Sequence, residues 1–209
     1  MKYIVTGGAG FIGSNLVDEL IIHGHEVHIF DNFSSGKKEN CNKNAYYHRL
    51  DISDTSLNNE FLKIMKNADG IFHMAALTDV QESIKNPLEY ELNNTFGTLN
   101  MLRCTSESKI NRFVYSASSA VYGNTEQLPC KESNSIDPIS PYATQKYYGE
   151  VLCKIFSEVY KLETVSLRYF NIYGERQKID GAYAAVMGIF ISQILNNQPM
   201  TIRGDGEQR

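Results

Sequence analysis

The stretch KYIVTGGAGFIGSNLVDELIIHG, residues 2–24, decides the fold of this 209-residue chain. KYIVTG has the composition of a buried strand, and FIGSNLVDELIIHG has the pattern of an amphipathic helix. Between them lies a glycine-rich turn with Gly7, Gly10 and Gly13, and Gly8-x-Gly10-x-x-Gly13 fits the spacing of a phosphate-binding turn. The stretch therefore predicts a strand–turn–helix unit that opens a parallel α/β sheet.

The rest of the chain repeats this alternation of short apolar runs and longer amphipathic segments. Strands are predicted at 26–31, 46–51, 70–75, 112–117 and 164–170, and helices at 56–68, 89–108, 141–160 and 182–197. The alternation predicts an α/β fold, a Rossmann-type doubly wound parallel sheet with helices on both faces. We expect a domain at 1–175 and, at 176–209, the incomplete start of a substrate-binding region.

Composition and charge exclude several classes of partner. The net charge is −4 and both signs are interspersed, so the chain has no electrostatic reason to bind nucleic acid or an anionic membrane. No apolar run approaches the roughly 20 residues of a spanning helix. The first residues lead directly into a strand rather than into a signal peptide. A cytoplasmic location is expected.

Cysteine and histidine spacing predicts no metal site. The cysteines lack metal-type spacing and are expected to be small buried or half-buried thiols: Cys41, Cys104, Cys130 and Cys153. Three histidines lie where the first helix gives way to a strand and are predicted to be surface and turn residues: His23, His25 and His28.

An acidic residue at the end of the second strand indicates which dinucleotide the glycine turn would bind. Asp31, in HIFDN, can accept hydrogen bonds from the adenosine ribose and would repel a 2′-phosphate, which favours NAD over NADP. Lys37 and Lys38 lie nearby and keep NADP open as an alternative. A purely structural glycine turn capped by Asp31 is the other interpretation.

Three polar side chains predict the chemistry. Tyr142 and Lys146, in PYATQKYYGE, share one helical face, and a nearby ammonium is expected to lower the tyrosine pKa from about 10 towards neutrality. Ser118, in SASSAVYG at the end of a strand, can hold a substrate hydroxyl beside the tyrosine. The three predict proton abstraction coupled to hydride transfer, although a tyrosine–lysine pair alone is more often an ordinary surface pair.

Eight motifs together resemble the extended short-chain dehydrogenase/reductase family, in particular its NAD-dependent nucleotide-sugar epimerases and dehydratases. In chain order they are TGGAGFIGS, DNFSSGKKEN, HMAA, NNTFGTLNML, SASSAVYG, YATQK, RYFNIYG and GDGEQR. The resemblance covers nearly the whole chain.

The resemblance implies a set of site residues. The catalytic residues would be Ser118, Tyr142 and Lys146, and substrate would contact Ser118, Ser119, Tyr142 and Asn171. The implied NAD-binding residues are Gly7, Gly10, Phe11, Ile12, Gly13, Asp31, Asn32, Asp51, Ile52, Ala75, Ala76, Asn94, Tyr142, Lys146 and Tyr169. Asn94 could instead satisfy a backbone group, and Tyr169 could be a core residue.

Within this family the residues favour a 4-epimerase. Dehydratases resembling this chain carry an acidic pair where it has Ser119 and Ala120, and related decarboxylases carry a Glu at the second position. The resemblance implies epimerisation of a UDP-hexose through a transient 4-keto sugar, on UDP-glucose/UDP-galactose or, as GAYAAV at 181–186 suggests, the N-acetyl pair. A dehydratase or reductase and a non-catalytic NAD-binding regulator remain alternatives.

Three further expectations follow from the resemblance. The family often dimerises through the long helices on either side of the fifth strand, so a homodimer is expected. Relatives often have Pro at the position of Glu175, which places the conformation of that loop in question. GDGEQR resembles the middle of a motif that continues into a further domain, so the native protein is expected to be longer.

Overall fold

The computed structural model describes residues 1–177, 186–202 and 204–206. The chain divides into two compact units, Met1–Phe170 and Asn171–Arg209. The sequence prediction of a substrate-binding region after residue 175 remains a prediction.

The larger unit contains six parallel strands in one sheet. They are β1 (Lys2–Thr6), β2 (Glu26–Phe30), β3 (Tyr46–His48), β4 (Gly70–His73), β5 (Arg112–Ser118) and β6 (Glu163–Tyr169). Their order is β3-β2-β1-β4-β5-β6, and every neighbouring pair is parallel. The order reverses between β1 and β4, and in such sheets ligands bind outside the carboxyl ends of the strands at this point.

Helices connect most of the strands, and one of them, the third, was not predicted. They are α1 (Phe11–Ile22), α2 (Asn58–Met65), α3 (Val80–Lys85), α4 (Pro87–Tyr90), α5 (Gly97–Glu107) and α6 (Pro141–Tyr160). A π-helical segment, Glu91–Phe96, joins α4 to α5. Short 3-10 turns cover Lys38–Asn40, Thr55–Leu57 and Ser119–Tyr122.

Two apolar cores cover the two faces of the sheet. Ile4 packs in the larger core, with Phe61 of α2, Met101 of α5 and Leu152 of α6. The next residue, Val5, packs in the smaller core with residues of α1 and β2. Successive strand residues point to opposite faces, so one strand serves both cores. This confirms the doubly wound sheet that the sequence predicts.

The helix predicted at 89–108 is present, but its start and its regularity differ from the prediction. The helical run begins at Pro87, which occupies the first turn of α4, and it contains the π segment. The sequence pattern also missed α3, whose N-cap Asp79 accepts a 2.9 Å hydrogen bond from the backbone N–H of Glu82. Aspartate at an N-cap and proline at the first helical position are the local signals that mark both starts.

One histidine prediction is wrong and the cysteine prediction is confirmed. His28 is a half-buried residue of β2, where it hydrogen-bonds His48 at 3.0 Å and the Glu26 carboxylate at 2.7 Å. Pairing of β2 with β3 brings the two rings together, which spacing along the chain does not reveal. All four cysteines are free thiols, two buried and two half-buried.

The smaller unit contains α7, Val186–Leu195. Residues 182–185, predicted as the first turn of this helix, lie outside the described residues, as does most of the GAYAAV stretch. Among the residues that are described, no helix has both the length and the apolar character needed to cross a bilayer.

Candidate active site

The glycine turn lies directly against the chain that leaves β4. Gly7 has φ +69°, and a Cβ at this position would come within 2.7 Å of the backbone nitrogen of Ala75. A Cβ on Gly13 would lie 2.2 Å from the carbonyl oxygen of Gly7, so α1 begins in close contact with the turn. Gly10 provides no side-chain cap to α1. The first-turn N–H groups of α1, which includes the half-buried Phe11 and Ile12, are therefore available to an anion.

Asp31 fixes the turn from the second strand. Its buried carboxylate accepts 2.9 Å and 2.8 Å hydrogen bonds from the backbone N–H groups of Ala9 and Phe33. A Cβ on Gly36 would lie 2.9 Å from one of the carboxylate oxygens, so the loop after β2 passes close to it. These contacts place a negative charge beside the glycine turn, where the ribose of a dinucleotide would lie.

A second carboxylate lies three residues after the end of β3. Asp51 accepts 2.9 Å hydrogen bonds from the Asn32 amide and from the backbone N–H of Ser53. Burial raises the pKa of Asp51, but its hydrogen bonds to Ser53 and Asn32 outweigh burial and leave the pKa below its usual value. The neighbouring Ile52 is a buried core residue whose carbonyl oxygen accepts from Asn100 at 2.9 Å.

A hydrogen-bonded chain that the sequence did not predict joins β1, β4 and the π segment. The backbone N–H of Ala75 donates to Thr6 Oγ1 at 3.1 Å, and Thr6 Oγ1 lies 2.8 Å from His73 Nδ1. His73 Nε2 lies 3.0 Å from Thr98 Oγ1, which donates to the carbonyl oxygen of Asn94. Since that hydroxyl proton is already used, Nε2 is the protonated nitrogen, and burial lowers the pKa of His73 to about 3.

Asn94 holds the loop after β4 through its side-chain amide. Its Oδ1 accepts from the backbone N–H of Leu77 at 2.8 Å, and its Nδ2 donates to the Leu77 carbonyl at 2.9 Å and to Gln145 at 3.2 Å. These contacts agree with the alternative interpretation, in which Asn94 satisfies backbone groups, here those of Leu77. Ala75 and Ala76 are half-buried and lie in the loop that Asn94 holds.

Ser118, Tyr142 and Lys146 come together at the carboxyl end of β5. Ser118 is the last residue of β5, and its Oγ accepts from the backbone N–H of Ala120 at 3.2 Å. Ser119 then begins the 3-10 turn. Tyr142 lies in the first turn of α6 and Lys146 one turn later, and both side chains are buried.

The electrostatics of this cluster differ from the prediction. Burial raises the pKa of Tyr142, and a hydrogen bond with Ser118 opposes that increase. The predicted fall in the Tyr142 pKa is therefore wrong for the structure, because burial dominates: Lys146 Nζ lies 5.9 Å from the centre of the Tyr142 ring and donates its hydrogen bond to the carbonyl of Ser116. Burial also lowers the pKa of Lys146, to about 8.

Two other predicted residues lie further along the chain. Tyr169 ends β6 as the register partner of Ser118, which places it beside the cluster in a half-buried position. Asn171 is exposed and belongs to the smaller unit.

Residues 3–209 match the family described as "NAD dependent epimerase/dehydratase family". A Methanocaldococcus jannaschii protein that bears the provisional name of a UDP-glucose 4-epimerase is 41% identical over 206 residues, covering 98% of this chain and 67% of that protein.

Two solved structures have the same fold. The UDP-N-acetylglucosamine 4-epimerase of Methanobrevibacter ruminantium M1, in complex with UDP-N-acetylmuramic acid, superposes with a TM-score of 0.92 at 44% identity, over 99% of this chain and 66% of that one. The UDP-glucose 4-epimerase of Thermotoga maritima, with UDP-glucose, has a TM-score of 0.92 at 37% identity, over 99% and 67% of the two chains. This chain thus spans about two thirds of their length.

Proposed function

The chain belongs to the NAD dependent epimerase/dehydratase family, and we propose that it provides the cofactor-binding and catalytic part of a UDP-hexose 4-epimerase. The observation that carries the proposal is that Ser118, at the carboxyl end of β5, lies beside the buried Tyr142 and Lys146 of α6, whose ammonium donates to the Ser116 carbonyl of the same strand. A hydroxyl, a phenol and an ammonium at the carboxyl end of a central parallel strand suit the removal of a proton from a sugar hydroxyl.

The glycine turn fits the pyrophosphate of NAD. Gly7 and Gly13 leave room that a Cβ would fill, and the uncapped start of α1 offers N–H groups to phosphate. Asp31 would accept from the adenosine ribose, since its oxygens retain lone pairs beyond the bonds to Ala9 and Phe33. Asn32, Asp51, Ile52, Ala75, Ala76, Asn94 and Tyr169 complete the proposed cofactor site. NAD, when bound, supplies a carbon that accepts hydride from the sugar and returns it.

The side chains move the proton. In this proposal the Tyr142 phenolic oxygen takes the proton of the sugar 4-hydroxyl while Ser118 Oγ holds the same hydroxyl in place. Lys146 is largely protonated at pH 7, because its lowered pKa of about 8 still lies above that pH. A positive charge near the ring favours the phenolate over the phenol. The same proton returns when the 4-keto sugar is reduced from its other face.

The two residues after Ser118 support an epimerase over a dehydratase. Ser119 and Ala120 begin the 3-10 turn, so this turn provides no carboxyl group at either position to remove a C5 proton or protonate a leaving hydroxyl. We propose Ser119 and Asn171 as contacts to the UDP-sugar. The assay described next decides which pair of hexoses the protein interconverts, glucose and galactose or their N-acetyl counterparts.

The test is a product analysis. UDP-glucose and UDP-N-acetylglucosamine are each incubated with NAD and the natural protein that contains residues 1–209, and the sugar nucleotides are separated by anion-exchange chromatography. We expect conversion of at least one of them to a mixture with its C4 epimer. A 4-keto-6-deoxy product would indicate a dehydratase. Binding of NAD without conversion of either sugar would indicate a regulator.

We also propose a homodimer formed through helices. Leu88, Leu92, Phe96 and Leu99 are exposed at helical spacing along the run from α4 to α5, and Tyr148 and Ile155 are exposed on α6. A second copy would cover these side chains with its own, as an isologous interface requires. Sedimentation equilibrium should show a dimer that Leu92→Glu dissociates, whereas Leu128→Glu, in an exposed loop, should leave it intact. A monomeric wild-type protein would contradict this.

A cytoplasmic location is part of the same proposal. The four free thiols suit a reducing compartment, in which disulfides rarely persist.

A further inference from the structure

Arg168 forms a bidentate ion pair with Glu150 that lies close to the proposed catalytic residues. Its Nε donates to Glu150 Oε1 at 2.9 Å and its Nη2 donates to Oε2 at 2.7 Å. The two side chains are only 18% and 11% exposed. The hydrogen bonds to Glu150 raise the pKa of Arg168 above its ordinary value, so the guanidinium is charged at every working pH. The pair joins β6 to α6.

The same guanidinium also holds the turn that follows Ser118. Arg168 Nη1 donates to the hydroxyl of Tyr122 at 2.9 Å and to the carbonyl oxygen of Glu132 at 3.2 Å. The guanidinium carbon lies 5.0 Å from the centre of the Tyr122 ring, within range of a cation–π contact. Tyr122 is itself buried and stacks on Phe170 with ring centroids 6.3 Å apart. One side chain thus fixes β6, α6 and the end of the 3-10 turn.

The two segments that Arg168 joins are those that carry the reacting groups. The 3-10 turn Ser119–Tyr122 starts directly after Ser118, so fixing Tyr122 limits where Ser118 can lie. Glu150 is one helical turn beyond Lys146 and two beyond Tyr142 on α6. A displacement of the turn relative to α6 would change the position of Ser118 relative to Tyr142.

We propose that Arg168 is a positioning residue, which holds the turn after β5 on α6 through Tyr122 and Glu150 and so fixes the position of Ser118 relative to Tyr142. Arg168 touches neither of these residues in the contacts described, and its effect passes through the turn and the helix. The inference rests on the proposed function for its catalytic consequence. The positioning itself involves only contacts within this chain, so it can be tested without knowing the substrate.

Stability alone does not explain such a pair. Replacing a buried ion pair with apolar residues of similar volume is often neutral or stabilising, because both charges must be desolvated. Arginine in particular provides the planar, forked geometry that can hold a carboxylate and a phenol at once. This geometry, rather than the charge, is what the experiment removes.

The first experiment compares Arg168→Lys with the wild-type protein. Lysine keeps the charge but cannot hold Glu150 and Tyr122 in the same way, so kcat should fall by about 10- to 100-fold with little change in KM or NAD affinity. Arg112→Lys is the matched control. Arg112 of β5 pairs with Glu163 of β6 at the exposed start of the two strands, at the end opposite to Ser118 and Arg168. This control should keep wild-type kcat. An equal loss in both variants would overturn the inference.

A second measurement does not need turnover. Interaction with the Ser118 side chain lowers the pKa of Tyr142, so moving Ser118 away should raise that pKa. NMR titration of protein labelled at tyrosine Cζ, with the Tyr142 signal assigned from Tyr142→Phe, should show a higher pKa in Arg168→Lys than in wild type. An unchanged Tyr142 pKa would overturn the inference, whether or not the wild-type protein is an epimerase.

A double variant guards against loss of folding. Arg168→Met combined with Glu150→Leu leaves no unpaired buried charge and should unfold at or above the wild-type temperature. We still expect the raised Tyr142 pKa and, in an active protein, the lower kcat. A stable double variant with wild-type values of both would show that the ion pair has no positioning role. Absence of epimerase activity in the wild type, with the expected pKa change present, would contradict only the proposed function.

Discussion

Lys146 donates a 2.8 Å hydrogen bond from its ammonium to the backbone carbonyl of Ser116. Ser116 lies in β5 two residues before Ser118, and Lys146 lies one turn after Tyr142 on α6. One buried cation therefore ties the strand that carries the serine to the helix that carries the tyrosine. The cost of this arrangement is the desolvation that lowers the pKa of Lys146 to about 8.

Lys146→Met should make the protein more stable and less active. At pH 7 the wild-type fold contains a desolvated ammonium, and an apolar side chain of similar length removes that penalty, so the free energy of unfolding should rise by about 1–3 kcal/mol. Turnover should fall because the charge near Tyr142 is lost. Urea denaturation and the product assay measure the two effects.

The pH dependence of stability checks the same residue. The folded pKa of about 8 lies below the ordinary 10.5, so the folded state binds fewer protons than the unfolded state between these values. Wild-type stability should therefore gain on that of Lys146→Met as pH rises from 8 towards 10.5. Lys154→Met, exposed on the same helix, should show no such trend. Lower stability of Lys146→Met at pH 7 would mean that the bond to Ser116 outweighs desolvation.

Tyr142→Phe should lose turnover and keep cofactor binding. The ring remains to fill the buried site, but the proton acceptor is gone, and acid–base groups of this kind contribute about 100- to 10,000-fold to the rate. NAD affinity by calorimetry should stay within about threefold. Tyr160→Phe, at the exposed end of the same helix, should be fully active. Turnover by Tyr142→Phe near the wild-type rate would remove Tyr142 as the base.

Asp31→Asn should weaken the preference for NAD. Wild-type protein should bind NAD at least tenfold more tightly than NADP, because the carboxylate repels a 2′-phosphate. In the variant the charge is lost, and the dissociation constant for NADP divided by that for NAD should become smaller. Asp54→Asn removes a carboxylate that only caps a 3-10 turn, and it should leave the ratio unchanged. Equal or tighter NADP binding by the wild type would direct attention to Lys37 and Lys38.

Gly149→Ala should destabilise the fold, although alanine is the better helix former by about 1 kcal/mol. A Cβ at this position would lie 2.2 Å from the hydroxyl oxygen of Tyr115, which is buried under α6. Relieving that overlap should cost about 1–3 kcal/mol, measured as a lower midpoint of chemical denaturation. Ser157→Ala, at a half-buried position of the same helix, serves as the control. A variant as stable as wild type would mean that α6 can move away from β5.

Local patterns determined much of this protein. The Gly7–Gly13 turn, strand and helix alternation and the four-residue spacing of Tyr142 and Lys146 follow from neighbours along the chain. Such patterns have periods that the backbone itself fixes, and they predicted the parallel sheet and the full extent of α6. The family followed from the order of the motifs.

Tertiary structure decided the rest, because it depends on groups distant in sequence. Thr6 and His73 are 67 residues apart, and Arg168 and Tyr122 are 46 apart, so no local period connects them. The direction of the Tyr142 pKa also required the fold. Spacing along a helix indicates which charge is near, but only packing shows that burial outweighs it. The sequence by itself therefore determined which groups share a strand end or a helix face, and the tertiary structure decided their solvation and the partners that hold them.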